Sequence, residues 1–264
     1  MCNRIDRKFE ECKAAGRKTL IGYLVAGDGG METTEQAVLA MQAGGVDIVE
    51  IGVPFSDPIA EGKVIQEGSL RALRDYHTTL KDVFALVRRL REKTQMPLLL
   101  MLYANTIFRS GKEDFFRQCR ETGIDGVIVP DLPFEEHEEF RDSADANGIY
   151  QISLVTPAST GRIGKIAGAA QGFLYCVSSN GVTGMRDHFD TDFTAFFDEV
   201  RSCAQIPCCV GFGIRDGAAA GRMGAYCDGV IVGSAFVNAI GGEPQGAAGR
   251  VEALARELRT GLDA

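Results

Sequence analysis

The densest chemistry in the sequence lies in Val46-Asp47-Ile48-Val49-Glu50-Ile51-Gly52-Val53-Pro54-Phe55-Ser56-Asp57-Pro58 and the Ile59-Ala60-Glu61-Gly62 that follows. Two-residue periodicity puts Glu50 on the face of Val46 and Ile48, so a carboxyl group rides on an apolar strand near its end. A carboxyl group buried without a cation holds its proton more tightly, and it can then give and take one near neutrality. The competing reading is a structural Glu50 paired with an Arg or Lys of a neighbouring strand. Glu61 is either a solvated loop charge or a second carboxylate opposing Glu50. Asp57, flanked by Pro54 and Pro58, reads as a turn residue.

Glycines mark two further places. Gly211-Phe212-Gly213-Ile214 and Gly233-Ser234 each follow an apolar run, where bare backbone N–H groups can approach a phosphate. The alternative is that these glycines only make tight turns. Ser178-Ser179-Asn180-Gly181-Val182-Thr183-Gly184 has the glycines and hydroxyls of a lid. His77 and His137 sit in polar stretches and are expected at the surface, and His188 lies beyond the lid. With no Ser-His-Asp or metal-ligand constellation legible, carboxylates are left to move protons.

These groups need elements to hold them. Aliphatic runs at 19–26, 46–51, 97–103, 126–129, 151–155, 172–177, 208–211 and 229–232 read as strands. Between them helical spacing appears at 33–43, 79–93, 112–122, 135–147, 193–204 and 249–262, and an early helix, Arg4–Ala14, is placed to plug one end. Strand and helix alternating eight times in 264 residues predicts an α/β fold, a (β/α)8 TIM barrel spanning 1–264 as a single domain with an extra N-terminal helix. An open doubly wound sheet is the other topology, but the first turn, Ala26-Gly27-Asp28-Gly29-Gly30, lacks the dinucleotide fingerprint. Two long loops, about 52–78 and 178–190, follow strand carboxyl ends, the face where such barrels hold their sites.

Composition narrows the class. Lys plus Arg total 28 against 36 Asp plus Glu, a net charge of −8, which argues against a broad nucleic-acid surface. The first 13 residues are charged where a secretion signal needs an apolar run, and no apolar stretch is long enough for a bilayer, so a cytoplasmic protein is expected. The eight cysteines show no C-x-x-C spacing and are read as reduced; adjacent Cys208 and Cys209 should face opposite ways.

The sequence resembles the tryptophan synthase alpha subunit family along nearly its whole length. The matching segments are Ile21-Gly22-Tyr23-Leu24-Val25-Ala26-Gly27-Asp28, Val49 to Pro58, Met101-Leu102-Tyr103-Ala104-Asn105, Pro130-Asp131-Leu132-Pro133, Gly181 to Gly184, Gly211 to Ile214 and Gly233-Ser234. The resemblance implies a lyase of tryptophan biosynthesis that cleaves indole-3-glycerol phosphate into indole and glyceraldehyde 3-phosphate. This retro-aldol reaction needs no cofactor in this chain. Indole would pass to a PLP-dependent beta subunit in an alpha2-beta2 heterotetramer.

It further implies Glu50 as general acid/base and Glu61 as the group that holds the indole N–H. Tyr23, Ile65, Met101, Leu102, Tyr175, Thr183 and Phe212 would line the site, and Gly184, Gly213, Gly233 and Ser234 would bind phosphate. The family motif Ala-Asp-Gly-Pro is here Ala60-Glu61-Gly62-Lys63. Glu61 adds a methylene, and Lys63 replaces a rigid proline with a cation able to draw Glu61 away. That departure motivates a second reading, an impaired alpha-like subunit kept to bind and activate a beta subunit. A third is a phosphosugar isomerase or epimerase reusing the phosphate site.

Overall fold

Aliphatic and β-branched runs form strands where both of their faces can be buried, as in a parallel sheet. The strands are β1 (Thr19–Val25), β2 (Ile48–Gly52), β3 (Leu98–Met101), β4 (Gly126–Ile128), β5 (Tyr150–Gln151), β6 (Ser153–Val155), β7 (Leu174–Val177), β8 (Cys208–Gly211) and β9 (Gly229–Val232). The computed structural model describes residues 3–159, 161–177, 193–211 and 213–264. Sheet order is β5-β4-β3-β2-β1-β9-β8-β7-β6, and every pairing is parallel.

The two ends of that order are one stretch of chain. At Ile152 it leaves β4, to which the Ile152 amide still donates at 2.9 Å, and pairs onward with β7. The sheet therefore closes as a (β/α)8 barrel whose fifth staves are β5 and β6.

Helices α1 (Arg4–Ala14), α2 (Met31–Ala43), α3 (Lys63–Arg74), α4 (Leu80–Arg91), α5 (Ala104–Ser110), α6 (Lys112–Thr122), α7 (Glu138–Ala146), α8 (Ile163–Ala169), α9 (Phe193–Cys203), α10 (Gly217–Gly224), α11 (Ser234–Ile240) and α12 (Ala247–Leu262) complete the fold. In α4 the face at Val83, Phe84 and Val87 is buried, and Thr79 and Asp82 form a capping box at its start. Among the described residues no helix is long and apolar enough to cross a membrane.

Alternation sorts the core into two layers. Leu98, Leu100, Val127, Cys208 and Val210 face the helices, whereas Ile21, Ile48, Leu99, Ile128, Ile152, Phe173, Cys209 and Ile231 fill the barrel interior. Cys208 and Cys209 thus face opposite ways. Ile5 and Phe9 of α1 enter the interior layer from below, and Phe9 meets Phe173 at 5.6 Å between ring centroids. At that end Asp47, Asp125 and Asp228 each stand one residue before a strand and accept a neighbouring strand's amide, from Leu20, Leu98 and Cys208 respectively. Arg17 and Arg259 neutralise Asp47, and Arg4 and Arg91 neutralise Asp125.

Four expectations are corrected. The connection 52–78 is not a continuous loop, because α3 occupies its second half, with Ile65, Gly68, Ser69 and Ala72 on its buried face. β2 starts at Ile48, and Val46 turns into the outer layer instead of sharing the face of Glu50. The stretch 135–147 splits into a 3-10 turn, Phe134–Glu136, and α7. His137, expected at the surface, is buried at that junction against Phe134, and burial followed by the Arg141 charge lowers its pKa.

Candidate active site

The interior positions of the strands lead upward to the carboxyl-end mouth. Tyr23 of β1 lies beside Glu50 of β2, and Glu50 lies beside Leu99 of β3 in the parallel register. The mouth above them is apolar, with Tyr23, Val25, Ile65, Ala72 and Val237 buried together and Met101 packed against them. Two glycines make room for phenol rings: a side chain on Gly52 would sit 2.2 Å from the Tyr23 hydroxyl, and one on Gly211 would sit 2.5 Å from that of Tyr175. Those backbones must be bare for the rings to occupy the mouth.

Glu50 is 1% exposed, and its Oε1 has no hydrogen-bond partner among the described residues. Loss of hydration alone pushes its pKa up to about 8. A structural ion pair would have lowered it, so the geometry supports the acid/base reading. Burial raises the Tyr23 and Tyr175 phenols as well, with the Glu50 charge adding to each, so both remain protonated donors next to the carboxyl group.

Glu61 is also turned inward. The Tyr103 hydroxyl donates to its Oε2 and accepts from the amides of Ile59 at 2.9 Å and Ala60 at 3.1 Å. Phe55 stacks on the Tyr103 ring at 4.7 Å, and the Gln66 side-chain amide donates to the Glu61 carbonyl at 2.8 Å. Burial raises the Glu61 pKa, and the Tyr103 hydrogen bond opposes the rise. Lys63 does not draw Glu61 outward: it is 88% exposed and reaches Glu67, 3.8 Å away along its own helix.

Tyr103 was missed as a site residue, although the alternation Leu99, Met101, Tyr103 points it inward beyond the end of β3. Its role as a tie predicts that Tyr103→Phe lowers lyase kcat about tenfold, the scale of a modest misplacement of a reacting group, with an unchanged circular dichroism spectrum. A kcat within twofold of wild type would show that Glu61 needs no tether.

Of the other expected site residues, Tyr23, Ile65, Met101 and Tyr175 gather at the interior or the mouth. Leu102 does not: alternation carries it into the outer layer with Leu98 and Leu100. Gly233 follows β9, and an added side chain there would be 3.4 Å from the Tyr23 ring. Ser234 then opens α11, and Gly213, at φ +67°, follows β8. Thr183, Gly184, Phe212, His188 and the 178–190 loop lie outside the described residues.

A closed barrel that carries a carboxyl group with no cation beside it among the described residues, beneath an apolar mouth and with a second carboxylate tied at its rim, belongs to the acid–base enzymes of the (β/α)8 class. The family model described as tryptophan synthase alpha chain matches residues 9–262. Tryptophan synthase alpha chains from Thermoanaerobacter sp. (strain X514) and Clostridium beijerinckii are each 44% identical to the chain; the first match covers 90% of both sequences, the second 89% of this one and 91% of the relative. Among solved structures, the alpha subunit from Legionella pneumophila superposes with a TM-score of 0.90 at 33% identity, covering 100% of this chain and 99% of that one. A chain of Mycobacterium tuberculosis tryptophan synthase gives 0.90 and 33% with both chains fully covered, 100% each.

The chain belongs to the tryptophan synthase alpha chain family. It is a lyase that cleaves indole-3-glycerol phosphate in tryptophan biosynthesis. The readings as an impaired subunit or as a phosphosugar isomerase are not favoured.

Proposed function

We propose that Glu50 moves both protons of the cleavage. Its carboxyl group delivers a proton to indole C3, placing positive charge on the ring nitrogen. The resulting carboxylate takes the proton of the hydroxyl on the carbon joined to the ring. That C–O bond becomes the aldehyde C=O, the C–C bond pair flows into the ring, and indole leaves with Glu50 protonated as at the start. Glu61 accepts the indole N–H and stabilises the charge developing there. Amides at Gly213, Gly233 and Ser234, with Gly184 from the second loop, hold the phosphate, and the α11 dipole favours its charge. Tyr23, Ile65, Met101 and Tyr175 wall the indole, joined by Thr183 and Phe212.

The observation that carries this reading is Glu50 itself, buried at the barrel mouth with no cation beside it and no hydrogen-bond partner for Oε1 among the described residues. In the cell the chain works in the cytoplasm with a PLP-bearing beta subunit, as an alpha2-beta2 assembly. Ile59, 68% exposed on the loop after β2, and Phe108, 52% exposed on α5, give the mouth face an apolar rim suited to such a partner. The test is release of glyceraldehyde 3-phosphate from indole-3-glycerol phosphate by the purified chain, alone and with its beta subunit. Turnover that rises on adding the partner, and loses that rise in Phe108→Asp, is expected; no turnover with its own beta subunit overturns the reading.

A further inference from the structure

Helix α3 follows β2 in sequence, yet it packs against β1 and α11, while α4 takes the crossover place between α2 and α6. α3 is thus an extra plate laid over the mouth. Its N-terminal end begins two residues after Glu61 and carries Gln66, which holds the Glu61 carbonyl, and Ile65, which walls the mouth.

Its far end is fastened. Arg71, in the last turn, donates from Nε and an Nη to the two oxygens of Asp28, each at 2.8 Å, and Asp28 is 0% exposed on the loop after β1. The surroundings are cut to fit this pair. A side chain on Gly68 would come within 3.0 Å of both Asp28 Oδ2 and Val237, and one on Gly242 within 2.7 Å of Arg71 Cδ. Arg71 therefore joins three things: the β1 loop, the plate that carries the Glu61 loop, and the turn that ends α11, whose other end begins at Ser234.

A fully buried carboxylate is costly, and an apolar pair of similar volume often serves stability as well or better. A parallel two-bond pair instead fixes direction as well as distance. We propose that Asp28 and Arg71 are positioning residues for the lyase. They set where α3 sits, and through it where Glu61 lies relative to the phosphate end of the site. This rests on the role given to Glu61 above.

The test compares wild type with Asp28→Asn/Arg71→Met, which removes both charges and leaves neither stranded, and with Arg71→Lys, which keeps the charge but loses the parallel geometry. Both variants are measured for kcat and KM, thermal midpoint, and amide exchange of Ile59 and Ala60. For the double variant kcat falls about tenfold with KM within about threefold, as for a group displaced only from its transition-state position. The two amides, whose acceptor is Tyr103, exchange about tenfold faster, while those of β2 and α12 are unchanged. Arg71→Lys shows the same pattern with a smaller loss, and it decides the matter if the double variant does not fold.

Unchanged kcat and exchange in a folded variant overturn the proposal, and so does a loss of kcat without faster exchange at Ile59 and Ala60. Should wild type itself lack lyase turnover, the reading of Glu61 fails while the exchange data still decide whether the pair places the plate.

Discussion

Glu50→Gln is expected to lower lyase turnover by about 10³–10⁴-fold, because in the proposed mechanism one side chain performs both proton transfers and an amide performs neither. KM should move far less, since shape and the apolar walls are kept. The same variant should change stability in a pH-dependent way. In the folded chain Glu50 keeps its proton up to about 8, whereas in the unfolded chain it loses it near the ordinary value of 4.5.

Between these two values the folded state binds the extra proton, so the contribution of Glu50 to stability falls as pH rises and is fully unfavourable above about 8. Gln carries no such penalty. Denaturant melts should therefore match at pH 4 and show the variant more stable than wild type at pH 9. The kcat/KM of wild type should decline above about 8 as the proton destined for C3 is lost. A variant that keeps a tenth of the activity, or gains no stability at alkaline pH, would contradict the role assigned to this buried acid.

Gly261→Ala is expected to destabilise the protein by about 2–3 kcal/mol, the scale of overpacking a tight interior. Two opposing effects meet there. Alanine favours a helix over glycine by about 1 kcal/mol. A Cβ at 261, however, would lie 2.1 Å from the Gly217 carbonyl oxygen, and one at 221 would lie 2.5 Å from the carbonyl of 261. Helices α10 and α12 touch backbone to backbone, so neither can give without moving the whole element. The clash outweighs the propensity.

The expected fall in thermal midpoint is about 5–10 °C for a chain of this size. Gly249 supplies the control on the same helix, since an added side chain there meets nothing within 4 Å. Gly249→Ala should raise the midpoint slightly. A Gly261→Ala midpoint equal to wild type would mean that α12 does not pack on α10 this closely.

The strands and the plug helix Arg4–Ala14 were legible because they depend on local pattern: runs of aliphatic residues and period of burial. Glu50 was legible for the same reason, a charged residue inside a run that must be buried. Helix α3 was passed over although its sequence is amphipathic; beside Ile65 its inner face carries Gly68, Ser69 and Ala72, which permit close approach, and only the folded chain shows what they approach. Leu102 was misplaced by one step of a strand, and one step reverses the face. His137 looked polar by the glutamates beside it, but the turn into α7 buries it against Phe134.

What residue order alone could settle was the family, the repeating unit and the presence of a carboxyl group on a buried strand, because each is written in short-range spacing. Folding settled the rest: that the fifth stave turns between β4 and β7, that Glu61 is tied by Tyr103, and that Asp28 meets Arg71 across 43 residues. Such pairings follow from how the closed barrel brings distant segments together, and no local pattern of side chains encodes that distance.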